Sequence, residues 1–348
     1  MMRAAVLEEI GSLRLKQVPV PEPGPGEVLV RIEANTICGT DLRIISGAKT
    51  AGVRPGVILG HEFAGRVAAV GRGVDGVSVG AQVTCSIVVS CQRCRACLSG
   101  REQLCENLVL FGYELDGGLA EYLLVPRIAM DHGNLVVLEK EIPATTLALA
   151  EPVSCCLNGA GQVAVAPGES VVVLGTGPIG LLHIALAKLA GATTILAAGR
   201  EGRLAAATDF GATCAVALTG EALTAEVRER THGRGADVVI VAVGDLALAN
   251  QALELAAIGG RVNYFAGFPK GKTASIDPNL IHYRELAVTG GSNARRADVR
   301  RAVELLSSGA LDVGRLVTHR FPLAELDAAV TAVARRDGLK VAVMPAAG

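Results

Sequence analysis

Four cysteines with regular spacing lie in one short segment of the chain. They follow a C-x2-C-x2-C-x7-C pattern at Cys91, Cys94, Cys97 and Cys105. Four thiolates this close together suit tetrahedral zinc with a closed coordination shell, which makes the site structural. A bacterial ferredoxin cluster would place its fourth cysteine three residues on, before proline, whereas here the interval is seven and Glu106 follows. The spacing predicts structural zinc, with an iron–sulfur cluster, a disulfide pair or unrelated buried thiols as the alternatives.

A second candidate metal set precedes this run. Cys38 lies in C-G-T-D at 38–41, and His61 and Glu62 lie in G-H-E-F-A-G at 60–65. One thiolate, one imidazole and one or two carboxylates form a zinc set with an open position, which is typical of a catalytic site. A lone histidine is more often an ordinary core or surface residue, but this one lies between glycine and glutamate. We therefore expect Cys38, His61 and Glu62 to bind catalytic zinc.

A glycine-rich segment has the sequence context of a nucleotide-binding turn. A strand is predicted at 170–174 and a helix at 179–190, and between them the pattern G-x-G-x-x-G occupies 175–180. In that context the glycines allow a tight turn and bring a pyrophosphate close to the helix N-terminus. A glycine-rich connection without a ligand is the alternative. The expected cofactor contacts in this turn are Gly175, Gly177, Pro178, Ile179 and Gly180.

The next predicted strand ends without a carboxylate. In NAD-binding sheets an acidic residue there holds the adenosine ribose, whereas this chain has Gly199 and Arg200, with Arg203 shortly after. Small residues leave room for a 2′-phosphate, and a guanidinium can bind it bidentately. The sequence thus favours NADP(H), with ribose binding by Glu201 as the alternative. Val243 and Ala266, at the ends of later predicted strands, complete the expected cofactor contacts.

Composition narrows the class of protein. The chain has 348 residues, a formal net charge of −1, six Phe, four Tyr and no Trp. A chain of this length normally forms two domains. Balanced charge gives no long-range attraction to nucleic acid or to an anionic membrane surface, and few aromatic residues argue against stacking on bases. We expect a small-molecule partner, no nucleic acid and no membrane.

The sequence also predicts a cytoplasmic protein. The longest apolar region, 171–198, is interrupted by glycine, proline, histidine and lysine, so it does not fit a membrane span. Residues 1–9 lack the basic and apolar regions of a secretory signal. Metal-type cysteine spacing without a disulfide framework fits the reducing cytosol. The cysteines outside the metal sets are interpreted as small buried hydrophobic residues: Cys85, Cys155, Cys156 and Cys214.

The secondary-structure pattern changes near the middle of the chain. Up to about residue 144, short β-type runs are separated by glycine and proline, which indicates an all-β, barrel-like unit. From about residue 170, apolar strands alternate with helical stretches, the pattern of a parallel sheet with helices on both faces. Two amphipathic helices and two strands between 297 and 344 could complete either domain.

Taken together, these segments resemble the zinc-dependent medium-chain dehydrogenase/reductase superfamily, and within it the branch of polyol (sorbitol-type) and threonine dehydrogenases. They cover nearly the whole chain in the family's order: C-G-T-D at 38–41, G-H-E-F-A-G at 60–65, the four-cysteine segment, G-G-L-A-E-Y at 117–122, E-P at 151–152 and the glycine-rich turn. The resemblance implies an α/β chain with three parts. A GroES-like β-barrel catalytic domain spans 1–152 and carries the zinc lobe at about 90–106; a Rossmann domain, a doubly wound parallel sheet that binds NAD(P), spans 153–289; and 290–348 return to the catalytic domain.

The resemblance also assigns roles within the catalytic zinc site. Glu151 matches a position at which the polyol branch carries a glutamate that acts on the metal directly or through water, although Cys155 and Cys156 nearby leave a sulfur ligand open. Thr40 matches the hydroxyl that passes the substrate proton outward. Many relatives have histidine where this chain has Arg43. A guanidinium cannot relay a proton as imidazole can, so we expect Arg43 to contact cofactor hydroxyls or an anionic substrate group.

The activity implied by the resemblance is zinc-assisted hydride transfer between a secondary alcohol and NAD(P), with the carbonyl compound as the other partner. The expected alcohol is a polyol, a sugar or a related small metabolite. A threonine-type or sugar-phosphate dehydrogenase is the alternative enzyme, and a zinc- and nucleotide-binding protein without turnover is the alternative from another class. One catalytic and one structural zinc ion are expected per chain, in a homo-oligomer, either a tetramer or a dimer.

Overall fold

The structure, a computed structural model, describes residues 1–345. The chain divides into two compact units: unit 1 is Met1–Ser154 together with the chain from Asn293 onward, and unit 2 is Cys155–Ser292. The domain boundaries inferred from the sequence, after residues 152 and 289, stay a prediction. The end of the last predicted segment, 346–348, lies outside the described residues.

The strands differ in length and in pairing between the two units. In chain order they are β1 Met2–Glu9, β2 Ser12–Val18, β3 Val28–Thr36, β4 Val57–Ile58, β5 Glu62–Val70, β6 Gln82–Cys85, β7 Val88–Val89, β8 Val109–Leu110, β9 Tyr122–Val125, β10 Leu135–Val137, β11 Ser170–Leu174, β12 Thr194–Ala198, β13 Cys214–Val216, β14 Ala236–Val241, β15 Ala256–Tyr264, β16 Ala287–Gly290, β17 Val317–Pro322 and β18 Lys340–Met344.

The α-helices are longer in unit 2 and at the end of the chain. In chain order they are α1 Gly39–Ile45, α2 Arg95–Leu98, α3 Arg127–Asp131, α4 Ala144–Leu147, α5 Ala150–Val163, α6 Pro178–Leu189, α7 Leu204–Phe210, α8 Gly220–Arg230, α9 Leu248–Leu255, α10 Pro278–Arg284, α11 Arg296–Ser307 and α12 Leu326–Arg335. Within residues 1–345, no helix combines the length and the apolar character needed to cross a membrane.

Unit 1 is built on antiparallel pairing. Its main sheet has the order β10-β6-β5-β3-β18-β17, with β9 also paired to β3, and a smaller sheet has the order β2-β1-β4. Strands β17 and β18 are parallel to each other, and β18 is antiparallel to β3. The two C-terminal strands, which the sequence pattern could not assign to a domain, therefore belong to the sheet of unit 1.

Unit 2 is a six-stranded parallel sheet with the order β13-β12-β11-β14-β15-β16. Numbered within this unit, the order is 3-2-1-4-5-6, that of the doubly wound Rossmann fold. Every residue of β11 is buried, as expected for a strand covered on both faces. The α/β fold class predicted from the sequence is confirmed.

Several element boundaries differ from the sequence-based prediction. The β-type run of sequence at 82–89 reads as one strand, but the chain forms β6 and β7 separately there. The run at 119–125 also reads as one strand, of which only the part from Tyr122 onward is β9. The helical sequence pattern of 247–257 extends past Leu255, but α9 ends there because β15 already begins at Ala256. Helix α5 was not predicted, since Glu, Pro, Ser, Asn and Gly interrupt its apolar pattern.

Candidate active site

Strands β3 and β5 bring the first candidate metal ligands together. In their antiparallel register Thr36, the last residue of β3, pairs with Glu62, the first residue of β5. Cys38 follows β3 closely and is the N-cap of α1, and His61 immediately precedes β5. Ligands that are distant in sequence therefore meet at one end of this strand pair.

The donor atoms of Cys38, His61 and Glu62 form a compact group. One ligand atom from each lies within 4.8 Å of the others, and His61 and Glu62 are only 3% and 1% exposed. Thiolate, imidazole and carboxylate are the donors that bind Zn²⁺, and three protein ligands leave a coordination position open for catalysis. The group fits a catalytic zinc ion by donor chemistry and by spacing.

The buried carboxylate of Asp41 connects two of these ligands. Its Oδ2 accepts the backbone N–H of Cys38 at 2.8 Å, and its Oδ1 lies 3.1 Å from Nδ1 of His61. Burial lowers the pKa of His61, but the charge and hydrogen bond of Asp41, together with Tyr113 and Cys38, outweigh it and raise the pKa well above the ordinary histidine value. A carboxylate at Nδ1 fixes the ring orientation and leaves Nε2 as the metal donor. Asp41 is a positioning residue.

The carboxylate of Glu62 is held by Lys340 and Thr36. Nζ of Lys340 lies 2.6 Å from Oε1 and 2.5 Å from Oε2 of Glu62, and Oγ1 of Thr36 donates to Oε2. Lys340 reaches this position because β18 pairs with β3, with Ala342 opposite Thr36. A carboxylate oxygen has two lone pairs, so Glu62 can keep these contacts and still offer a donor to a metal ion.

Glu151 is not part of the same compact group. It lies in the first turn of α5, and the donor atoms that lie within 4.8 Å of one another do not include those of Glu151, Cys155 or Cys156. Its charge nevertheless acts on this region. Burial lowers the pKa of Lys340, but Glu62, Cys38 and Glu151 together outweigh it and raise the pKa above the ordinary lysine value.

Thr40 and Arg43 lie on α1, directly after Cys38. Nη2 of Arg43 donates a hydrogen bond to Oγ1 of Thr40 at 3.0 Å. The guanidinium stays protonated at neutral pH, so it cannot carry a proton onward from this hydroxyl. The contact places a permanent positive charge beside the expected proton-relay hydroxyl.

Tyr113 packs beside His61. The two ring centroids are 5.4 Å apart, and Tyr113 is 7% exposed. Burial raises the pKa of Tyr113 above its usual range, so the phenol remains neutral. Nζ of Lys49 lies 5.3 Å from the centroid of the same ring. Lys49 is therefore separated from a candidate metal ligand by a single aromatic ring.

The four-cysteine segment forms a lobe around α2. Sγ of Cys94 lies 3.5 Å from that of Cys97 and 3.9 Å from that of Cys105, and the four sulfurs of the lobe lie within 4.8 Å of one another. Four sulfurs about 2.3 Å from a tetrahedral zinc ion are about 3.8 Å apart. The free thiols are therefore spaced as a structural zinc ion requires.

Backbone groups prepare part of this lobe for metal binding. The N–H groups of Arg93 and Cys94 lower the pKa of Cys91 to about 6, which favours the thiolate that zinc binds. Burial raises the pKa of Cys97 to about 12, so zinc binding releases a proton there. Sγ of Cys105 accepts the N–H of Cys91 at 3.2 Å.

An ion pair ties the lobe to helix α11. The backbone N–H of Arg296 donates to Oε1 of Glu102 at 2.7 Å, and its guanidinium donates to Oε2. The two side chains are only 17% and 13% exposed. The lobe is thus fixed to the C-terminal part of unit 1 independently of the residues around Cys38.

The glycine-rich turn of unit 2 lies between β11 and α6, with Gly177 as the N-cap of the helix. Gly175 has a φ of +109°, in the region that favours glycine. A Cβ atom at Gly180 would lie 1.7 Å from the carbonyl oxygen of Gly175. Both positions therefore require glycine, and the turn has the strand–turn–helix context of a pyrophosphate site.

The other expected cofactor residues lie at the same edge of the sheet. A Cβ atom at Gly175 would lie 3.1 Å from that of Val243, which follows β14. The N–H of Ala266, which follows β15, donates to the carbonyl of Val241 at 2.9 Å. These are the carboxyl ends of parallel strands, where ligands of doubly wound sheets bind.

Two arginines follow β12. Nη1 of Arg203 lies 3.6 Å from the position of a Cβ atom at Gly177, and burial together with the charge of Arg200 lowers its pKa. A Cβ atom at Gly199 would lie 2.1 Å from Oγ1 of Thr176. The structure therefore places Arg203 against the glycine-rich turn and leaves Arg200 exposed beside it.

Sequence reasoning missed several residues of the metal site. It gave no role to Asp41, although this residue lies inside the C-G-T-D segment and so carried a local signal. It did not identify Lys340, which is 278 positions from Glu62 and shares no local pattern with it. Tyr113 and Lys49 were also missed, because their position depends on how two loops pack.

Known protein families and sequences are similar to this chain. The family described as "Alcohol dehydrogenase GroES-like domain" matches residues 24–132, and the family described as "Zinc-binding dehydrogenase" matches residues 178–308. L-threonine 3-dehydrogenase of Pyrococcus furiosus is 37% identical, over 88% of this chain and 87% of its own length. The chain belongs to the zinc-dependent alcohol dehydrogenases of the medium-chain dehydrogenase/reductase superfamily.

Further relatives are similar to this chain over 99% of its length. L-threonine 3-dehydrogenase of Symbiobacterium thermophilum is 35% identical over 99% of this chain and 98% of its own. A zinc-binding dehydrogenase of Sinorhizobium meliloti, solved with NADP bound, has a TM-score of 0.92 and 36% identity, and alcohol dehydrogenase TADH of Thermus sp. ATN1 has 0.89 and 33%; each comparison covers 99% of both chains. The predictions of an oxidoreductase, of zinc and of a nicotinamide cofactor are confirmed at this level.

Proposed function

We propose that this dehydrogenase transfers a hydride between a small secondary alcohol and NADP(H). The observation that carries the proposal is the compact group of Cys38, His61 and Glu62, with Asp41 behind two of its members. The residues of this group would hold the catalytic zinc ion, and Cys91, Cys94, Cys97 and Cys105 would hold the structural one. When bound, the catalytic metal supplies a Lewis acid that lowers the pKa of an alcohol, and the nicotinamide accepts the hydride.

The protein's own residues prepare this chemistry. Asp41 holds the imidazole of His61 in one orientation, and Lys340 neutralises Glu62 where neither is exposed to water. Tyr113 covers the face of the site next to His61 and excludes water there. Thr40 is the hydroxyl that takes the substrate proton, and Arg43 orients it by donating to Oγ1. Glu151 acts on the same region through its charge.

The substrate of threonine type is favoured over the polyol expected from the sequence. Two of the relatives described above, those of Pyrococcus furiosus and Symbiobacterium thermophilum, are named L-threonine 3-dehydrogenase, whereas the polyol interpretation rested on the carboxylate in the zinc set. A threonine-type substrate carries its secondary alcohol next to charged groups, and the cation of Arg43 lies beside the expected relay hydroxyl.

The preference for NADP(H) rests on the end of β12. Ala198 and Gly199 offer no carboxylate to a ribose, and Arg200 and Arg203 supply positive charge next to the glycine-rich turn. The Sinorhizobium meliloti relative was solved with NADP. Ribose binding by Glu201 is the outcome that would favour NAD(H) instead.

We also propose a cytoplasmic homo-oligomer, a tetramer or a dimer. Strand β16 is an edge of the parallel sheet and most of its residues are exposed. An exposed edge strand offers unpaired backbone groups to a second chain. The nine cysteines are all free thiols, which fits a reducing compartment.

A substrate screen tests the function. Zinc-loaded enzyme would be assayed with L-threonine, polyols and simple secondary alcohols, each with NADP⁺ and NAD⁺, before and after treatment with a chelator. The proposal expects turnover of a threonine-type alcohol that the chelator abolishes and zinc restores. Turnover of polyols alone would restore the polyol interpretation, and no turnover of any secondary alcohol would contradict the proposed function.

A further inference from the structure

Two cations lie beside the metal site without an acidic partner. Nζ of Lys49 lies over the ring of Tyr113, 5.3 Å from its centroid, and that ring packs against His61. The guanidinium of Arg43 makes its hydrogen bond to Thr40. Within residues 1–345, neither cation is within ion-pair distance of a carboxylate.

The two cations belong to one segment. The backbone N–H of Lys49 donates to the carbonyl of Arg43 at 2.9 Å, which closes the turn after α1. Arg43 is exposed and Lys49 is partly buried. One turn therefore carries both cations, with Lys49 against the ring that packs beside His61 and Arg43 on the expected relay hydroxyl of Thr40.

Two carboxylates of the loop that follows Tyr113 already have hydrogen-bond partners. Oε2 of Glu114 accepts the N–H of Leu110 at 2.9 Å. Oδ1 of Asp116 accepts Nη2 of Arg54 at 2.9 Å and the N–H of Ile58 at 3.1 Å. These two loop carboxylates therefore have partners of their own, and neither forms an ion pair with Lys49 or Arg43.

Two carboxylates at the metal site, those of Asp41 and Glu62, also have partners. Asp41 contacts the ring of His61 and accepts the N–H of Cys38, and Glu62 forms an ion pair with Lys340. Each of these acidic groups is fully buried, whereas the cation pair lies nearer the solvent. A site built for a neutral polyol has no need of two unpaired cations at its edge, since hydroxyl groups are bound as well by neutral donors and acceptors.

We propose that Lys49 and Arg43 bind an anionic group of the substrate, a carboxylate or a phosphate, so that the enzyme selects anionic secondary alcohols over neutral ones. This inference rests on the proposed function. Lys49 supplies a point charge and Arg43 a planar guanidinium, a combination that suits either anion. Lys49 acts on substrate selection and takes no part in hydride transfer.

Matched substrate pairs test the proposal. The enzyme would be assayed with 3-hydroxybutanoate and butane-1,3-diol, which share the reacting carbon, and with propane-1,2-diol 1-phosphate and propane-1,2-diol. The wild type is expected to prefer the anionic member of at least one pair, and the preferred pair identifies the carboxylate or the phosphate. Lys49→Met is expected to reduce that preference, as a ratio of kcat/KM, by about 10- to 100-fold and mainly through KM.

Two further variants keep the test specific. Lys49→Arg retains the charge and should recover most of the preference, and Lys140→Met removes one exposed lysine elsewhere in unit 1 and should leave the ratio unchanged. A wild type that turns over both neutral diols with no anionic preference, or a ratio that Lys49→Met does not move, overturns the inference while the proposed function stands. The absence of chelator-sensitive turnover with any alcohol overturns both.

Discussion

Oδ1 of Asp41 lies 3.1 Å from Nδ1 of His61. The other oxygen of the same carboxylate accepts the N–H of Cys38, so one buried side chain orients two candidate zinc ligands. Carboxylates that orient metal-binding histidines typically contribute 10- to 100-fold to metal affinity. The C-G-T-D segment thus supplies both a candidate ligand, Cys38, and the carboxylate that orients another candidate ligand, His61.

We expect Asp41→Asn to weaken zinc binding at the catalytic site by about 10- to 100-fold. The amide keeps the shape of the side chain but removes the negative charge that faces His61. Zinc affinity would be measured by competition with a chelating dye, with Asp131→Asn, an exposed acid in α3, as the control. An unchanged affinity in Asp41→Asn would show that this carboxylate does not support the metal site.

Cys94→Ser is expected to remove only the structural zinc ion. Its sulfur lies 3.5 Å and 3.9 Å from two partners in the lobe, and the lobe is tied to α11 separately from Cys38. The measured zinc content should fall from about two ions per chain to about one, and the thermal stability of the protein should decrease. Cys214→Ser, outside both sets, is the control. A wild-type chain that binds a single zinc ion, at Cys38 and His61, would refute the structural site.

Arg200→Ala should weaken NADP(H) binding far more than NAD(H) binding. A charge-assisted contact to the 2′-phosphate contributes roughly 1.5–3 kcal/mol and is absent with NAD(H). Arg203→Ala should be measured alongside it, because Arg203 lies against the turn near Gly177 whereas Arg200 is exposed. The comparison shows which arginine binds the phosphate. Ala198→Asp should shift the preference towards NAD(H) by repelling the phosphate.

The ratio of kcat/KM for the two cofactors measures this preference. If the wild type already favours NAD(H), or neither arginine variant changes the ratio, Glu201 or another group binds the ribose and the NADP(H) proposal fails.

His183→Leu should make the enzyme less sensitive to acid. This histidine on α6 is buried against Phe265, neither ring nitrogen has a hydrogen-bond partner within residues 1–345, and burial lowers its pKa to about 3. Above pH 6.5 the ring is neutral in the folded and the unfolded chain. Between pH 6.5 and 3 only the unfolded chain binds the proton, so this residue lowers the free energy of unfolding by up to about 1.4 kcal/mol per pH unit.

Urea unfolding at pH 7.5, 6.5 and 5.5 would measure the effect. The stability of His183→Leu relative to the wild type should increase as the pH falls, whereas His282→Leu, at an exposed position, should show no such trend. A difference that is constant across these pH values would contradict the interpretation of His183.

The sequence could predict the candidate metal residues and the glycine-rich turn because these depend on residue types at short spacings. It could not predict the pair of Glu62 and Lys340, since that contact depends on β18 pairing with β3 across most of the chain. The sequence also could not predict which of the two arginines reaches the glycine-rich turn. Arg200 follows the strand directly, yet Arg203 is the one that reaches Gly177, because a short helical turn redirects the chain after β12.

We propose that Cys38, His61 and Glu62 hold the metal on which turnover depends. The most direct test is His61→Ala, analysed for zinc content, for NADPH affinity by fluorescence titration and for kcat with the best alcohol of the screen. Because His61 belongs to unit 1 and the nucleotide residues to unit 2, we expect loss of one zinc ion, retained NADPH affinity and a fall in kcat of about a thousandfold or more. Near-normal turnover by the variant after loss of that zinc ion would contradict the account.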